Sequence, residues 1–499
     1  MADKIADRMA DRYEGLAATS GITNLVILRF ERLFAVFRRY RPWLIPFAVG
    51  LLLTIGSSLW RITAQSAVVA TATPLPQDPY IQAYFNQSEA SVYSDPYRHI
   101  ERLGDNLEQV VIDAIDQSTL SVDLAVQTLN LPLVAQALVR SAQRGVAVRV
   151  ILENQYAYPT SAKAQQEQRA AWMAIADADR NGSATPAEIA QADALSILRN
   201  AHIPELDDTA DGSKGSGLMH HKFLVIDGRW VLTGSVNLTL SGVHGDAADL
   251  ASRGNADVLL KIDSAAIAQI FTAEFNLMWG DGPAQSANSQ FGLQKPSRSA
   301  QTVALPTGSV TLQFSPLSVR KPWDQSVNGL IARTLSQAQR SIDLALFVFS
   351  EQRLVNPLAA QVKAGRALRV LIDPGFIYRN YSEALDMLGV ALPDQRCQIE
   401  AGNQVWAKAI APVGSPYLPP GDKLHHKFAV IDHNTVIVGS QNWSEAANSQ
   451  NDEALLVIRN ATVAAHFSRE FERLYRDRYT GLTPLLQRKI GESRQRCGE

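Results

Sequence analysis

One short pattern occurs twice in this sequence, and its two copies stand at matched places in two halves. His220-His221-Lys222-Phe223-Leu224-Val225-Ile226-Asp227 is followed by Gly234-Ser235-Val236-Asn237, and His425-His426-Lys427-Phe428-Ala429-Val430-Ile431-Asp432 by Gly439-Ser440-Gln441-Asn442. Both read H-x-K-x4-D and then G-S-x-N, with 17 positions from the first His to the Asn in each. Upstream, Ser121-Val122-Asp123-Leu124-Ala125 recurs as Ser341-Ile342-Asp343-Leu344-Ala345, and Gly145, Arg149 and Glu153 recur as Gly365, Arg369 and Asp373, each 220 positions later. Glu274-Phe275 closes the first half as Glu470-Phe471 closes the second. Each unit reads as strand, helix, strand, the pattern of parallel strands joined by crossover helices. The expected fold is therefore α/β, with two pseudo-symmetric lobes, each a mixed sheet flanked by helices, and with the two His-bearing strands facing one another.

Within each copy, two β-branched runs are joined by a short polar turn such as Asp227-Gly228-Arg229, which reads as a hairpin. Neighbours along a strand point to opposite faces, so His220 and Lys222 share a face while His221 points away. The same alternation is expected to place Ser235 with Asn237, and in the second copy His425 with Lys427 and Ser440 with Asn442. An imidazole, an ammonium and amide or hydroxyl groups on one patch suit a phosphate, whose charge-assisted hydrogen bonds are strong. Two patches supply two histidines, which is what a metal-free double displacement at phosphorus needs. One imidazole attacks; the other protonates the leaving oxygen and then deprotonates the incoming water or alcohol. By parity Asp227 and Asp432 lie at turns on the opposite face and read as structural.

The paired motif resembles the signature of the phospholipase D superfamily, over roughly Tyr80 to Thr480. That family includes phospholipases, cardiolipin synthases and nucleases. The resemblance implies one site shared by two lobes, His220 as nucleophile, and no cofactor for the chemistry. It also implies that Asp257 and Glu453, in Asn255-Ala256-Asp257 and Asn451-Asp452-Glu453, accept hydrogen bonds from the catalytic imidazoles and fix their tautomer.

The order of segments follows. Residues 1–42 form a charged, then amphipathic leader, and Trp43 to Trp60 carries no charge over eighteen residues, about 27 Å as a helix. Five arginines lie within Arg29–Arg41, whereas none follows Arg61 until Arg98, so the positive-inside rule leaves the N-terminus cytoplasmic and exports the remainder. A membrane-anchored protein with its catalytic part on the periplasmic or extracytoplasmic side is expected; the rival is secretion after signal cleavage near Ala67–Ala72. A tether spans 61–79, and a polar, Pro-containing stretch runs from Thr71 to Tyr97. The lobes occupy 80–281 and 308–480, joined by a Ser-, Gln- and Pro-rich linker at 282–307 and followed by a tail at 481–499. With both motifs in one chain, a monomer is expected.

The first half is about fifteen residues longer between Glu153 and His220 than the second between Asp373 and His425. An insertion at 162–200 holds Asp177-Ala178-Asp179-Arg180-Asn181-Gly182-Ser183-Ala184-Thr185-Pro186-Ala187-Glu188, which fits the EF-hand loop D-x-D-x-N-G-x5-E. Its expected calcium ligands are Asp177, Asp179, Asn181, the Ser183 backbone and Glu188, in a structural or regulatory role. Ala184 departs from the branched apolar residue usual at its position, and no partner hand is found.

The irregular segments Leu206–Met219 and Ala409–Leu424 precede the motifs and are expected to shape the mouth of the site. Trp443 is a candidate for stacking on substrate or for the core. With only Cys397 and Cys497, a disulfide scaffold and a cysteine-rich zinc site are excluded. Export permits one disulfide between them, but Cys497 sits in a polar tail expected to fray. Residues 1–61 hold nine basic and five acidic side chains, leaving 38 basic against 44 acidic in the exported part. That acidic balance disfavours a nuclease groove. The expected activity is phospholipid headgroup hydrolysis or transfer through a phosphohistidine. A nuclease is the alternative, and a catalytically inactive, calcium-dependent binding module is a third possibility that two complete motif sets argue against.

Overall fold

The computed structural model describes residues 68–158, 173, 175–179, 181–246, 249–283 and 288–498, with Val68–Glu499 forming one compact unit. The expected leader at 1–42, the spanning segment at 43–60 and the tether up to residue 67 lie outside the described residues, as does most of the insertion ahead of the acidic loop. Among the described residues no helix is long and apolar enough to cross a membrane.

The first lobe is built on seven strands: β1 (Ile81–Phe85), β2 (Ser121–Val126), β3 (Ala147–Leu152), β4 (Glu205–Asp207), β5 (Lys222–Ile226), β6 (Trp230–Gly234) and β7 (Val258–Asp263). Their order across the sheet is β1-β7-β6-β5-β2-β3-β4. The second lobe has nine: β8 (Gln301–Leu305), β9 (Gly308–Phe314), β10 (Ser341–Leu346), β11 (Ala367–Ile372), β12 (Val413–Pro416), β13 (Lys427–Ile431), β14 (Thr435–Gly439), β15 (Ala454–Arg459) and β16 (Arg478–Thr480), in the order β8-β9-β15-β14-β13-β10-β11-β12-β16. The repeated strands take the same register: β2 pairs parallel with β3 from Ser121↔Ala147, and β10 with β11 from Ser341↔Ala367. This register sets Asp123 beside Arg149 and Asp343 beside Arg369, where they form ion pairs of 2.6 and 2.7 Å. Each guanidinium then covers a ring of the repeated Glu-Phe pair, Phe275 at 4.7 Å and Phe471 at 4.8 Å. The recurrence read in the sequence is thus one of pairing geometry.

Amphipathic helices cover both sheets. Helices α1 (Leu107–Asp116) and α2 (Pro132–Gln143) close the outer face of the first sheet, with Leu138 and Val111 fully buried. In the second lobe α4 (Val327–Leu335) and α5 (Gln352–Lys363) do the same. The inner faces, with α3 (Ala265–Trp279) and α6 (Ala461–Arg476), share one apolar cluster that runs through both lobes. Edge-to-face contacts cross it: Phe271 meets Phe314 at 5.2 Å and Phe85 meets Phe467 at 5.2 Å. Each such ring, fully buried, contributes about 1.5–3 kcal/mol, so the lobes are joined by core packing.

Three expectations about connecting segments are corrected. The region 282–307 is no loose linker, because Gln301–Leu305 is a strand and Phe291 and Lys295 are buried. Lys295 pairs with Glu274 of the first lobe and, at 2.7 Å, with Asp452 of the second. The described part of the tether and the stretch after it are also built into the fold: Asp78 accepts from Asn460 at 2.8 Å, His466 bonds the Pro76 carbonyl at 3.1 Å, and 81–85 is a strand. Finally, the tail does not fray. Pro484–Cys497 is a helix, α7, capped by Thr483 and anchored by buried Leu486, and a Cys397–Cys497 disulfide closes it onto the second lobe. Helix capping and one apolar anchor outweigh the polar composition that suggested fraying.

Replacing Lys295 with Met strips a buried cation from Glu274 and Asp452. Removing one partner of a buried ion pair costs about 3–5 kcal/mol, so Lys295→Met is expected to lower the denaturant midpoint strongly while Arg229→Met, which loses an exposed pair with Asp263, leaves it within about 1 kcal/mol. Equal midpoints for the two variants would show that the segment carries no load between lobes.

Candidate active site

His220 and His425 each stand at the entry to a central strand, where the backbone is held by the opposite lobe. The His220 N–H donates to the Asp452 carbonyl at 3.0 Å and the His425 N–H to the Ala256 carbonyl at 3.1 Å. Single parallel bridges, Met219↔Asp452 and Ala256↔Leu424, join the two segments on each side. The Met219 N–H donates to Glu153 Oε2 at 2.6 Å and the Leu424 N–H to Asp373 Oδ2 at 2.9 Å. Sequence reasoning aligned Glu153 with Asp373 but gave them no task; their recurrence was the available signal. Burial raises both carboxyls, Glu153 to about 7 with help from Asp208.

The alternation expected from strand geometry holds for the motif. Lys222 Nζ turns back to its own His220 carbonyl at 2.8 Å and Lys427 Nζ to that of His425 at 2.6 Å. His221 and His426 point the other way, into the core, where their Nε2 atoms meet Glu274 at 3.2 Å and Glu470 at 2.9 Å. Asp227 and Asp432 are structural, as read: Asp227 accepts from the backbone of Thr119, Leu120 and Ser121, and Asp432 from Gln339, Arg340 and Ser341.

The carboxylates act crosswise. His220 Nδ1 bonds Glu453 Oε2 at 2.7 Å, and His425 Nδ1 bonds Asp257 Oδ1 at 2.9 Å. A carboxylate only accepts, so the proton is assigned to Nδ1 and each Nε2 keeps its lone pair. That the acids orient the imidazoles was implied by family resemblance; that each serves the other lobe was not legible. Both carboxyls are held below their ordinary range despite full burial, Glu453 chiefly by His220 and Asp257 chiefly by His425.

The serines depart from the expected ligand patch. The strands end at Gly234 and Gly439, so the alternation stops before Ser235 and Ser440. Ser235 Oγ donates to Asp257 at 2.6 Å and accepts the Val258 N–H at 3.1 Å, and Ser440 Oγ accepts the Ala454 N–H at 3.0 Å. They are positioning residues behind the carboxylates. Asn237 and Asn442 stay partly exposed, with buried Oδ1 atoms lacking partners, and their amides remain available to phosphoryl oxygens. Trp443 is fully buried against Phe349 at 5.6 Å and belongs to the core. Asp208 of the first mouth segment is buried too, accepting from Asn154 and Ser216.

One difference between the lobes escaped the sequence reading. Gln127, whose Oε1 lies 3.4 Å from Lys222 Nζ, stands where the second lobe has Phe347. The Phe347 ring lies 4.9 Å from His425 and 5.1 Å from Lys427 Nζ. Burial lowers both imidazoles to about 4, against the pull of Glu453 on His220 and of Asp257 on His425. It lowers Lys222 to about 8 and Lys427 to about 7.

In the inserted loop, one oxygen from each of Asp177, Asp179 and Glu188 lies within 4.8 Å of the others. Asp177 accepts the Asn181 and Gly182 N–H groups at 2.9 and 2.7 Å, and Asn181 Oδ1 accepts from Ser183 at 3.0 Å. Glu188 reaches the Ala178 N–H at 3.0 Å with one oxygen and caps Thr185 with the other.

Two lobes contributing an H-x-K each, with acids exchanged between them, define a phosphodiesterase of the double-motif type. The family described as "Cardiolipin synthase, PLD-like domain" matches residues 111–279 and 331–475. The chain therefore belongs to the phospholipase D superfamily, within that cardiolipin synthase-like family. Among curated proteins it is similar to the mitochondrial cardiolipin hydrolase of Xenopus laevis, 27% identical over 187 residues that cover 37% of this chain and 79% of that protein. The human mitochondrial cardiolipin hydrolase is 30% identical over 154 residues, 31% of this chain and 53% of its own length. Among solved structures, phosphatidylserine synthase from Haemophilus influenzae Rd KW20 aligns over 81% of this chain and 88% of its own, with a TM-score of 0.50 and 13% identity. This likeness is one of fold. The chain is thus an enzyme of the phosphodiesterase kind, and chemistry in this family needs no cofactor.

The shifted groups set a pH profile. An imidazole at about 4 is neutral and basic above that pH, whereas Lys427 loses its charge as pH rises through about 7 and Lys222 through about 8. With bis(p-nitrophenyl) phosphate, whose leaving group needs no proton, kcat/KM is expected to climb through about 4, stay level, and fall beyond about 7. Lys427→Arg, which keeps its charge, should extend the plateau upward. A single acid limb near the ordinary imidazole value of about 6.5 would contradict this assignment.

Proposed function

We propose that the enzyme hydrolyses or transfers the headgroup of a glycerophospholipid through a covalent phosphohistidine. The crosswise His–carboxylate pairs carry the reaction: His220 Nε2, kept unprotonated by Glu453 on its far nitrogen, attacks phosphorus. On binding of the anionic diester His425 takes up a proton at Nε2; the leaving alkoxide receives that proton, and an N–P bond replaces the broken P–O bond. His425, now neutral and oriented by Asp257, removes a proton from water or an alcohol; the oxygen attacks phosphorus and the N–P bond breaks, releasing phosphatidic acid or a new diester. Lys222, Lys427, Asn237 and Asn442 hold the non-bridging oxygens throughout.

Several observations favour a lipid. Two relatives are named for cardiolipin hydrolysis, and the part after residue 61 is acidic overall. The charge-free segment at 43–60 is proposed to anchor the chain with its N-terminus cytoplasmic and the lobes exported, and the Cys397–Cys497 disulfide suits an oxidising compartment. A monomer suffices, because one chain supplies both half-sites. His220→Ala is expected to lower turnover of bis(p-nitrophenyl) phosphate by about 10³-fold or more and to abolish phosphoenzyme; His425→Ala should retain slow phosphoenzyme formation with that good leaving group. The full chain in detergent is offered mixed-lipid micelles and, separately, single-stranded and duplex DNA. Phosphatidic acid release, or headgroup exchange when alcohol is added, is the expected result, and nicked DNA with untouched lipid sinks the lipid reading.

The converging carboxylates of the inserted loop support calcium as its ligand, held by Asp177, Asp179, Asn181, the Ser183 carbonyl and Glu188. A ligand that binds the folded state alone raises stability by about 2.7 kcal/mol at a hundred times its Kd. Millimolar calcium should raise the Tm of the wild type and leave Asp177→Ala/Glu188→Ala unmoved, with activity largely preserved in chelator; no shift in the wild type removes calcium from the account.

A further inference from the structure

On the face where the chain enters the described structure lies a cleft of about 530 Å³, lined by none of the catalytic residues. Its wall includes Val68, the first described residue, with Arg102, Arg253, Arg473 and Arg476. Three of these arginines are occupied. Arg102 spends its guanidinium on the carbonyls of His244, Asn86 and Arg253; Arg473 is bound to Glu470 at 2.7 Å and Arg476 to Glu89 at 3.0 Å. Arg253 is different: it is half-buried, yet among the described residues its guanidinium has no hydrogen-bond or ion-pair partner. Burial and the neighbouring Arg473 disfavour its charge, partly offset by the more distant Glu89 and Asp422. These two carboxylates act on it only from a distance, and with no carboxylate or carbonyl bonded to its guanidinium among the described residues it has hydrogen bonds left for an anion supplied from outside.

The rim of the same cleft is apolar. Leu250 is 66% exposed and Tyr417 70% exposed, on loops that flank Arg253. An unpaired guanidinium at the base and an aliphatic and an aromatic side chain at the lip fit an anionic headgroup whose acyl chains continue past the rim. A soluble phosphate would leave that rim unused. In the sequence Val68, which lines the cleft, follows the end of the charge-free stretch at Trp60 by eight residues, a length that spans at most about 29 Å, so a bilayer holding that stretch, as proposed, is within reach of this cleft.

We propose that the Arg253 cleft is a non-catalytic docking site for an anionic phospholipid of the membrane surface. The phosphate sits on Arg253, and Leu250 and Tyr417 enter the headgroup layer. This is independent of which diester the catalytic histidines cleave. The loops that form the cleft also reach the active site: Ser252 and the Arg253 N–H both bond Asp422, the latter at 2.8 Å, and Lys423 N–H donates to Asn255 Oδ1 at 3.0 Å. Asp257 and His425 follow directly on these two loops.

Hydrogen exchange of the full chain, in nonionic micelles doped with phosphatidylglycerol or with an equal mole fraction of phosphatidylcholine, tests the site. The anionic micelles are expected to slow exchange about tenfold in peptides spanning 249–253 and 417–419. Arg253→Glu should erase that difference, and Arg253→Gln should weaken it, while both retain wild-type turnover of bis(p-nitrophenyl) phosphate as proof of folding. Equal exchange in the two micelles, protection that survives Arg253→Glu in a folded variant, or protection by inorganic phosphate alone overturns the proposal. Because the readout involves no turnover of lipid, a failure of the lipid-substrate reading would leave this result standing, and the converse also holds.

Discussion

Everything functional in this molecule depends on the exchange of carboxylates across the seam between lobes. Glu453 serves His220 and Asp257 serves His425, so neither lobe holds a finished imidazole. The exchange is dictated by backbone: each His N–H bonds a carbonyl one residue before the opposing acid. A shift of one residue in either bridge would turn the acid to the other face, as in any extended pairing. The precision of the site therefore rests on register at the seam, and register rests on the core that both lobes share.

Around the seam lies a second layer of paired charges that keeps the first in place. His221 and His426, neighbours of His220 and His425, are turned into the core and bond Glu274 and Glu470 through Nε2. Glu274 is fully buried with Lys295 and is reached by the partly exposed Arg298, and these two cations hold it well below the carboxylate range. Lys295 continues to Asp452, whose carbonyl receives the His220 N–H. A buried network of this kind adds little net stability over an apolar core but is costly to break. Its service is geometric, fixing the strand entry to which His220 belongs.

The doubled motif, its strand periodicity and the offset of 220 residues made the two-lobed sheet and the shared face of each His and Lys, His220 with Lys222 and His425 with Lys427, readable from sequence. Those signals are local and repeated. What could not be read arises from contacts between distant parts: the crosswise acids, Glu153 and Asp373 beneath the strand entries, and Lys295 in a segment whose composition looked like linker. Parity failed at Ser235 and Ser440 because it applies only inside a strand, and both strands end one residue earlier. The tail misled for a related reason. Its polar surface is that of an exposed helix face, and the disulfide and Leu486 that fix it are two residues among fourteen.

Charge balance supplies a physical basis for the opposite tasks proposed for two such similar histidines. With both imidazoles neutral, Lys222 and Lys427 offset Asp257 and Glu453, so the unliganded site is close to electroneutral although fully buried. A phosphodiester brings one negative charge into this low-dielectric space, where it favours uptake of a compensating proton far more than in water. The lysines keep their charge beside the anion, and an imidazole is the base left to receive the proton. The two candidates differ in surroundings, Gln127 lying on the Lys222 side and the Phe347 ring against His425. An imidazolium at His425 faces that ring as well as Asp257, and an aromatic ring beside a cation is a further source of stabilisation. On the proposed mechanism the near-symmetric scaffold gains its direction when substrate arrives, from one aromatic residue that the repeat did not preserve.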